Sequence, residues 1–133
     1  MKHVPSSDVP WGPAPGERFV GRALFGPMSE PPTEDGLLVL AVDFAPGART
    51  DWHHHPGGQV LHVTHGTGYV SNKAGETVRM SVGDTVTIAA DEVHWHGATA
   101  TAPMTHLSLT SHGVTVWTGE KVSDADYHAA ERS

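Results

Sequence analysis

Short β-type runs separated by glycine and proline are the feature that most constrains how this chain can fold. Runs of roughly four to eight residues, rich in Val, Thr, Leu and aromatic side chains, recur about every eight to twelve residues after Phe19. The expected strands include residues 19–24, 37–44, 50–55, 59–64 and 104–110. Many short strands with turn residues between them are typical of an all-β sandwich or barrel. We therefore expect residues 19–133 to form a single all-β domain.

The two ends of the chain depart from this pattern. Residues 1–18 contain four prolines and two glycines, which predict an extended N-terminal arm. Within it, Trp11 is expected to contact the barrel or a partner subunit. Near the other end, Ser123 and Asp126 resemble a capping box. This pair predicts a short C-terminal helix.

Composition excludes several kinds of partner and site. Eight basic residues against fifteen acidic residues give a net charge of −7, and no cluster of Lys and Arg offers a phosphate-binding face, so we expect no nucleic-acid partner. The sequence contains no cysteine, so a metal ion would need nitrogen and oxygen ligands. No apolar segment is long enough for a signal peptide or a membrane span, so we expect a cytoplasmic protein without a membrane partner.

Two His-x-His pairs are the strongest functional signal among eleven histidines. His53 and His55 form the first pair, and His94 and His96 form the second. Alternate side chains of a strand share a face, and the Pro-Gly-Gly turn after the first pair can bring Gln59 beside it. One pair alone is explained equally well by a partly exposed polar strand. The two pairs together favour three imidazoles around one divalent ion.

The sequence resembles the cupin family in both of its motifs. The first motif, G-x5-H-x-H-x3,4-E-x6-G, is matched with Gln in place of Glu by Gly47, His53, His55, Gln59 and Gly66. The second motif, G-x5-P-x-G-x2-H-x3-N, is matched at Gly83 and His94, whereas its Pro, Gly and Asn are replaced by Ala89, Asp91 and Ala98. The resemblance implies a small cupin β-barrel, a double-stranded jelly roll. The ligands it implies for a divalent metal are His53, His55, Gln59 and His94.

A narrower resemblance is to the bacterial cupin hydroxynitrile lyases. It rests on the Pro-Gly-Ala-Arg-Thr run at 46–50, on His-Trp-His-Gly at 94–97 and on Met-Thr-His-Leu at 104–107. The resemblance covers roughly residues 37–127 and implies a manganese-dependent lyase that cleaves cyanohydrins such as mandelonitrile to an aldehyde and cyanide. Fe, Co, Ni and Zn also fit this mixed donor set. Because Gln is neutral where Glu is charged, the ion would keep its full charge and favour an anionic ligand.

Further residues are expected around the ion. His96 and His106 are candidates for a general base, and the alternative is that each only orients a ligand or fills the cavity. Leu40, Val42 and Thr110 are expected to line a substrate pocket, although core packing is the common role of apolar strand residues. Four of the remaining histidines are expected to face solvent: His3, His54, His112 and His128. His62 and His65 match no ligand position.

The sequence also allows two other functions, and it suggests that the protein forms an oligomer. The same donors also suit a dioxygenase or an isomerase of a small metabolite, and a non-catalytic cupin that binds a small molecule is a further alternative. Trp52 and Trp95 lie between the ligands on the opposite strand face, where a large aromatic side chain indicates a core or a subunit contact. With the arm, they suggest a homodimer or a higher homo-oligomer.

Overall fold

The computed structural model describes residues 1–111 and 114–133. In chain order its strands are β1 (Gly12–Pro13), β2 (Phe19–Val20), β3 (Ala23–Pro27), β4 (Leu38–Phe44), β5 (Arg49–Thr50), β6 (His53–His54), β7 (Gln59–Gly66), β8 (Gly68–Asn72), β9 (Thr77–Met80), β10 (Thr85–Ile88), β11 (His94–Ala98), β12 (Met104–Thr110) and β13 (Val116–Trp117). Helix α1 (Asp124–Arg132) follows, and 3-10 turns lie at Ser6–Asp8 and Gly16–Arg18. The predicted all-β fold with a short C-terminal helix is confirmed.

The strands form two antiparallel sheets. The first has the order β1-β3-β4-β12-β7-β10. In the second, β11 pairs with β5 and β6 on one side and with β8 on the other, while β2, β13 and β9 extend it through β5, β6 and β8. The β12–β7 pair shifts register between Thr105 and His106. A bulge of this kind re-aims the side chains beside it.

The main core lies between the two sheets. Alternate residues of β4 and β7 point inward, so that Phe44, Leu61 and Val63 are buried. They pack against Val70 and Ala98 of the opposite sheet. The ring of Phe44 also lies 5.9 Å from that of His96 and 5.4 Å from that of His106. The hydrocarbon core therefore borders directly on His96 and His106.

The expected strand at residues 50–55 is interrupted. The chain leaves the ladder between β5 and β6, because the backbone N–H of Asp51 donates to the Arg18 carbonyl and that of Trp52 donates to the Glu120 carbonyl. The expected strand at residues 19–24 is likewise divided, at Gly21, whose φ is +81°. At the first interruption, the backbone of Asp51 and Trp52 therefore bonds to segments outside the sheet ladder.

The C-terminal helix covers both tryptophans that flank the ligand positions. Ser123 caps the helix by accepting a hydrogen bond from the backbone N–H of Asp126 at 3.1 Å. Tyr127 packs with Trp52 and Trp95 in a second buried cluster, and its hydroxyl donates to the Ala98 carbonyl at 2.7 Å. The two tryptophans are therefore part of the protomer's own core. They give no support to a subunit contact, and the homodimer stays a prediction.

The N-terminal arm runs along the edge of the first sheet. In β1, Gly12 pairs with Phe25 of β3. The indole of Trp11 lies so close to Gly26 that a Cβ there would be 2.8 Å from the ring. Trp11 thus contacts the barrel of its own chain. Among the described residues, the single helix has nine residues, and none forms a helix long and apolar enough to span a bilayer.

Candidate metal centre

The four predicted ligands come from three places in the fold and meet between the sheets. His53 begins β6 and lies directly opposite His94, which begins β11. His55 follows β6 in a turn that is closed by a hydrogen bond from the Gly58 N–H to the His55 carbonyl. Gln59 then begins β7 in the facing sheet. The side chains of all four are buried.

The three predicted imidazoles converge. The ring centroids of His53 and His94 are 4.4 Å apart, and those of His53 and His55 are 5.2 Å apart. His55 lies 5.9 Å from His94. The predicted His-x-His geometry therefore brings the rings together even though His55 lies past the end of its strand.

Hydrogen bonds to backbone carbonyls determine which ring nitrogen of His53 and of His94 is free to bind a metal ion. Nδ1–H of His53 donates to the Asp51 carbonyl at 2.8 Å, and Nδ1–H of His94 donates to the Glu92 carbonyl at 2.7 Å. Each neutral ring then carries its lone pair on Nε2, as a metal ligand requires. Nε2 of His55 is buried and has no hydrogen-bond partner among the described residues. A buried nitrogen of this kind is costly unless something else binds it.

The Gln59 amide gives a second test of whether the site fits a cation. Its Oε1 lies 2.9 Å from Nε2 of His94, and its Nε2 donates to the Ser108 hydroxyl at 2.8 Å. Both facing atoms carry lone pairs, so they repel each other unless a positive charge lies near both. Two ligands about 2.1 Å from one ion and at right angles lie about 3.0 Å apart. The donor set and its spacing therefore fit a divalent metal.

The electrostatics of the site keep the imidazoles neutral. Burial and the neighbouring His94 lower the pKa of His55 to about 4. Burial and His94 also hold the pKa of His53 well below its usual range, and burial lowers the pKa of His94. Neutral imidazole is the form that binds a metal ion.

His96 and His106 form a buried pair beside the ligands. Nε2 of His106 lies 2.9 Å from Nδ1 of His96, so one ring donates to the other. The remaining nitrogens, Nε2 of His96 and Nδ1 of His106, are buried with no partner in the described part of the chain. The imidazole nitrogens that lie within 4.8 Å of one another belong to His53, His94 and His96. The structure thus groups a nitrogen of His96 with nitrogens of two predicted ligands, His53 and His94.

A cavity of about 50 Å³ opens beside the donors. Its polar wall includes His53, His55, Gln59, His96 and Ser108, and its apolar wall includes Leu40, Val42, Phe19, Phe25 and Trp117. Leu40 and Val42 therefore line this cavity, and its role as a substrate pocket stays a prediction. Thr110 instead lines a shallow groove with Leu37 and Gly58, on the far side of Gln59. His106 is not among the lining residues and lies behind His96.

The sequence analysis did not identify the three aromatic residues of the cavity wall, Phe19, Phe25 and Trp117. Trp117 belongs to the two-residue strand β13, pairs with His53 and lies 4.8 Å from its ring. Phe19 and Phe25 come from the opposite end of the chain. No local spacing links these residues to the histidines, because they come together only when β13 pairs with β6, β2 with β5 and β3 with β4.

The described histidines that were expected at the surface lie apart from the buried cluster. His3 and His128 are exposed, and His54 is half-buried with its Nδ1 2.9 Å from the carboxylate of Asp91. His112 lies outside the described residues. None of the described three joins the buried cluster.

Comparison with known proteins agrees with this geometry. The family model of the cupin domain matches residues 40–110, a range that includes all four predicted ligands. The chain belongs to the cupin family. Grouped histidines inside a cupin barrel support a divalent metal site.

Individual relatives narrow the comparison. This cupin is 38% identical over 118 residues to an (R)-mandelonitrile lyase of Granulicella tundricola, covering 87% of this chain and 90% of that protein. A cupin-like protein of Thermotoga maritima superposes with a TM-score of 0.84 at 31% identity, over 89% of this chain and 91% of the other. A polyketide cyclase of Streptomyces resistomycificus shares the fold, with a TM-score of 0.69 at 18% identity and coverage of 96% and 91%.

Proposed function

We propose that this cupin is a metal-dependent carbon–carbon lyase that reversibly cleaves a cyanohydrin to an aldehyde and cyanide. One observation carries the proposal: buried His96 lines a cavity that also touches the candidate metal ligands, and His106 hydrogen-bonds to His96 from behind. Such a site can remove a hydroxyl proton where water is largely excluded. The 38% identity to a mandelonitrile lyase supports the same reaction class.

The candidate ion would be held by His53, His55, Gln59 and His94. When bound, a divalent metal such as manganese supplies positive charge that polarises a substrate oxygen and attracts an anionic leaving group. The neutral amide of Gln59 leaves that charge undiminished, and Ser108 holds the amide oxygen toward His94.

His96 is placed to take the hydroxyl proton. It lines the cavity, and the role requires that its Nδ1–H donate to Nε2 of His106 so that its own Nε2 carries the lone pair. As Nε2 of His96 accepts the proton, the O–H electron pair forms the carbonyl double bond and the C–C bond breaks. The bonding pair leaves with cyanide, and the imidazolium can return its proton to give HCN. His106 accepts the other proton of His96 in a hydrogen bond and so stabilises this charge.

The apolar wall assists this chemistry by limiting water. Leu40, Val42 and the aromatic side chains replace solvent on the side of the cavity away from the donors. Electrostatic interactions are stronger in such surroundings than in water. The wall also leaves few polar groups that could hold a large polar substrate.

The test combines elemental analysis with assays of cyanide release from lactonitrile and mandelonitrile. We expect about one equivalent of divalent metal in the wild type, loss of both metal and activity in His53→Ala, and about a hundredfold lower rate with metal retained in His106→Ala. His128→Ala, on the exposed face of α1, is the matched control and should match the wild type.

Two outcomes would contradict the proposal. A metal-loaded wild type that releases no cyanide from either nitrile would exclude the lyase and leave a non-catalytic binding role. Turnover that requires O₂ would instead favour a dioxygenase, because cyanohydrin cleavage involves no oxidant.

A further inference from the structure

The enclosed part of the cavity beside the donors is smaller than an aromatic ring requires. Its volume is about 50 Å³, whereas an engineered apolar cavity that holds benzene measures about 150 Å³ and a water molecule in the liquid occupies about 30 Å³. The enclosed space can therefore hold a group of only a few heavy atoms. A phenyl substituent would have to displace part of the wall or project from the open side of the cavity.

We propose that this cupin acts on short-chain aliphatic cyanohydrins, such as that of acetaldehyde, and that Leu40 and Phe25 set the size limit. This inference rests on the proposed function and names its substrate class. It assigns to Phe25 a role that the sequence did not indicate, and it predicts that an aryl cyanohydrin is a poor substrate.

The wall cannot retreat easily, because its backbone is held on both sides. Leu40 lies in β4, where it pairs with Pro27 of β3 on one side and with Ser108 of β12 on the other. Ser108 is the residue that holds the Gln59 amide. The Leu40 side chain therefore occupies the space next to the donors, and a larger substrate cannot push its strand outward without breaking the ladder.

The aromatic side chains are interlocked as well. Phe25 contacts Phe19 edge to face, with ring centroids 5.6 Å apart at 76°. Phe19 in turn lies 6.0 Å from Phe44 and 6.2 Å from Trp117. Trp117 is held between the ring of His53 at 4.8 Å and the guanidinium of Arg18 at 5.6 Å. Moving one ring would disturb its neighbours, so the small volume is a property of the packing.

The experiment compares wild type, Leu40→Ala and a matched control, Leu109→Ala. Leu109 lies on β12 and points away from the cavity, since it alternates with Ser108. Phe25→Leu is a second enlarging variant that keeps the test usable if Leu40→Ala does not fold. All proteins are used with their metal bound.

The first measurement is kcat/KM for lactonitrile and for mandelonitrile. A pocket discriminates about 10- to 200-fold per methylene-sized difference, so we expect at least about a tenfold preference for lactonitrile in the wild type. In Leu40→Ala the preference should fall by about tenfold or more, and in Leu109→Ala it should be unchanged. A wild type that prefers mandelonitrile, or an unchanged ratio in both enlarging variants, would overturn the size limit.

The second measurement does not depend on turnover. Lactate and mandelate are unreactive α-hydroxy acids that differ in the same way, and their binding can be followed by tryptophan fluorescence because Trp117 lines the cavity. We expect lactate to bind at least about tenfold more tightly than mandelate to the wild type, with the difference reduced in Leu40→Ala. If this holds while neither nitrile is cleaved, the lyase is wrong and the size limit stands. Equal binding of both acids, or binding of neither, would overturn the size limit itself.

Discussion

The side-chain oxygen of Gln59 lies 2.9 Å from Nε2 of His94, while the Ser108 hydroxyl accepts from the amide nitrogen at 2.8 Å. Ser108 accepts from the amide nitrogen, which leaves the oxygen facing the imidazole. The reversed amide would donate to His94 and accept from Ser108, which satisfies the hydrogen bonds but directs no oxygen at the ion. The Ser108 hydroxyl therefore holds the amide in place, and a bound cation would favour the orientation that presents the oxygen.

Replacing Ser108 with Ala should weaken manganese binding. Without the hydroxyl, the Gln59 amide can rotate and its nitrogen can donate to His94. Loss of a group that orients a metal ligand typically lowers affinity about 10- to 100-fold, and we expect about tenfold in a calorimetric titration of metal-free protein. Ser81→Ala, in an exposed turn, is the control. Equal affinity in Ser108→Ala and wild type would mean that Ser108 does not position Gln59 for metal binding.

Two glycines with similar backbone conformations should respond very differently to substitution by Ala. Gly66 and Gly75 have φ of +72° and +85°, a region where a Cβ costs about 1–2 kcal/mol. A Cβ at Gly75 meets nothing within 4 Å, whereas at Gly66 it would lie 1.8 Å from the Pro103 carbonyl oxygen. Urea unfolding should show a loss of about 1–2 kcal/mol for Gly75→Ala and about 4 kcal/mol or more for Gly66→Ala. Similar losses would contradict the steric role of Gly66.

The sequence was most informative where function depends on local spacing. The His-x-His pairs predicted the convergence of His53 with His94, because alternation along a strand and pairing of adjacent strands place both rings on one face. Even the interruption of the strand before His53 did not disturb that face, since the chain resumes its ladder at β6.

The rest of the site depends on contacts between residues far apart in the chain. Trp117 and Phe25 reach the cavity from the two ends of the chain, and Thr110 misses it although it lies on the same strand face as Ser108. From the sequence, Trp52 and Trp95 could lie either in the core or at a subunit contact. The position of α1 shows that they lie in the core. Periodicity indicates which face a residue occupies but not which distant segment covers that face.

Arg49 should prove essential for docking the C-terminal segment. It is only 5% exposed, its Nη2 and Nε donate to the Val122 carbonyl at 2.8 and 3.2 Å, and its guanidinium lies 4.6 Å from the Tyr127 ring centroid. Lys cannot reproduce two parallel hydrogen bonds together with stacking. We expect Arg49→Lys to lower the free energy of unfolding by about 2–3 kcal/mol in urea titrations followed by tryptophan fluorescence.

A matched variant separates hydrogen bonding from the ion pair. Asp124 pairs with Arg49 at 2.9 Å, but its side chain is 86% exposed. An exposed carboxylate contributes about 0–1 kcal/mol to such a pair, so Asp124→Asn should have only this small effect. A larger loss for Asp124→Asn than for Arg49→Lys would show that the charge, and not the carbonyl contact, holds the segment.

Acid should destabilise the metal-free protein, because His106 is buried in its neutral form. Burial lowers its pKa to about 4, against about 6.5 in an unfolded chain. As the pH falls, the unfolded state binds the proton first, so the contribution to stability is complete above pH ~6.5 and is lost progressively between pH ~6.5 and ~4. The difference corresponds to about 3 kcal/mol from this one side chain. In urea titrations at several pH values, His106→Leu should lose stability less steeply than the wild type, by up to about 1.4 kcal/mol per pH unit. An equally steep loss of stability in both proteins would contradict this prediction. It would mean that His106 can be protonated in the folded state without penalty, with the charge shared between His106 and His96.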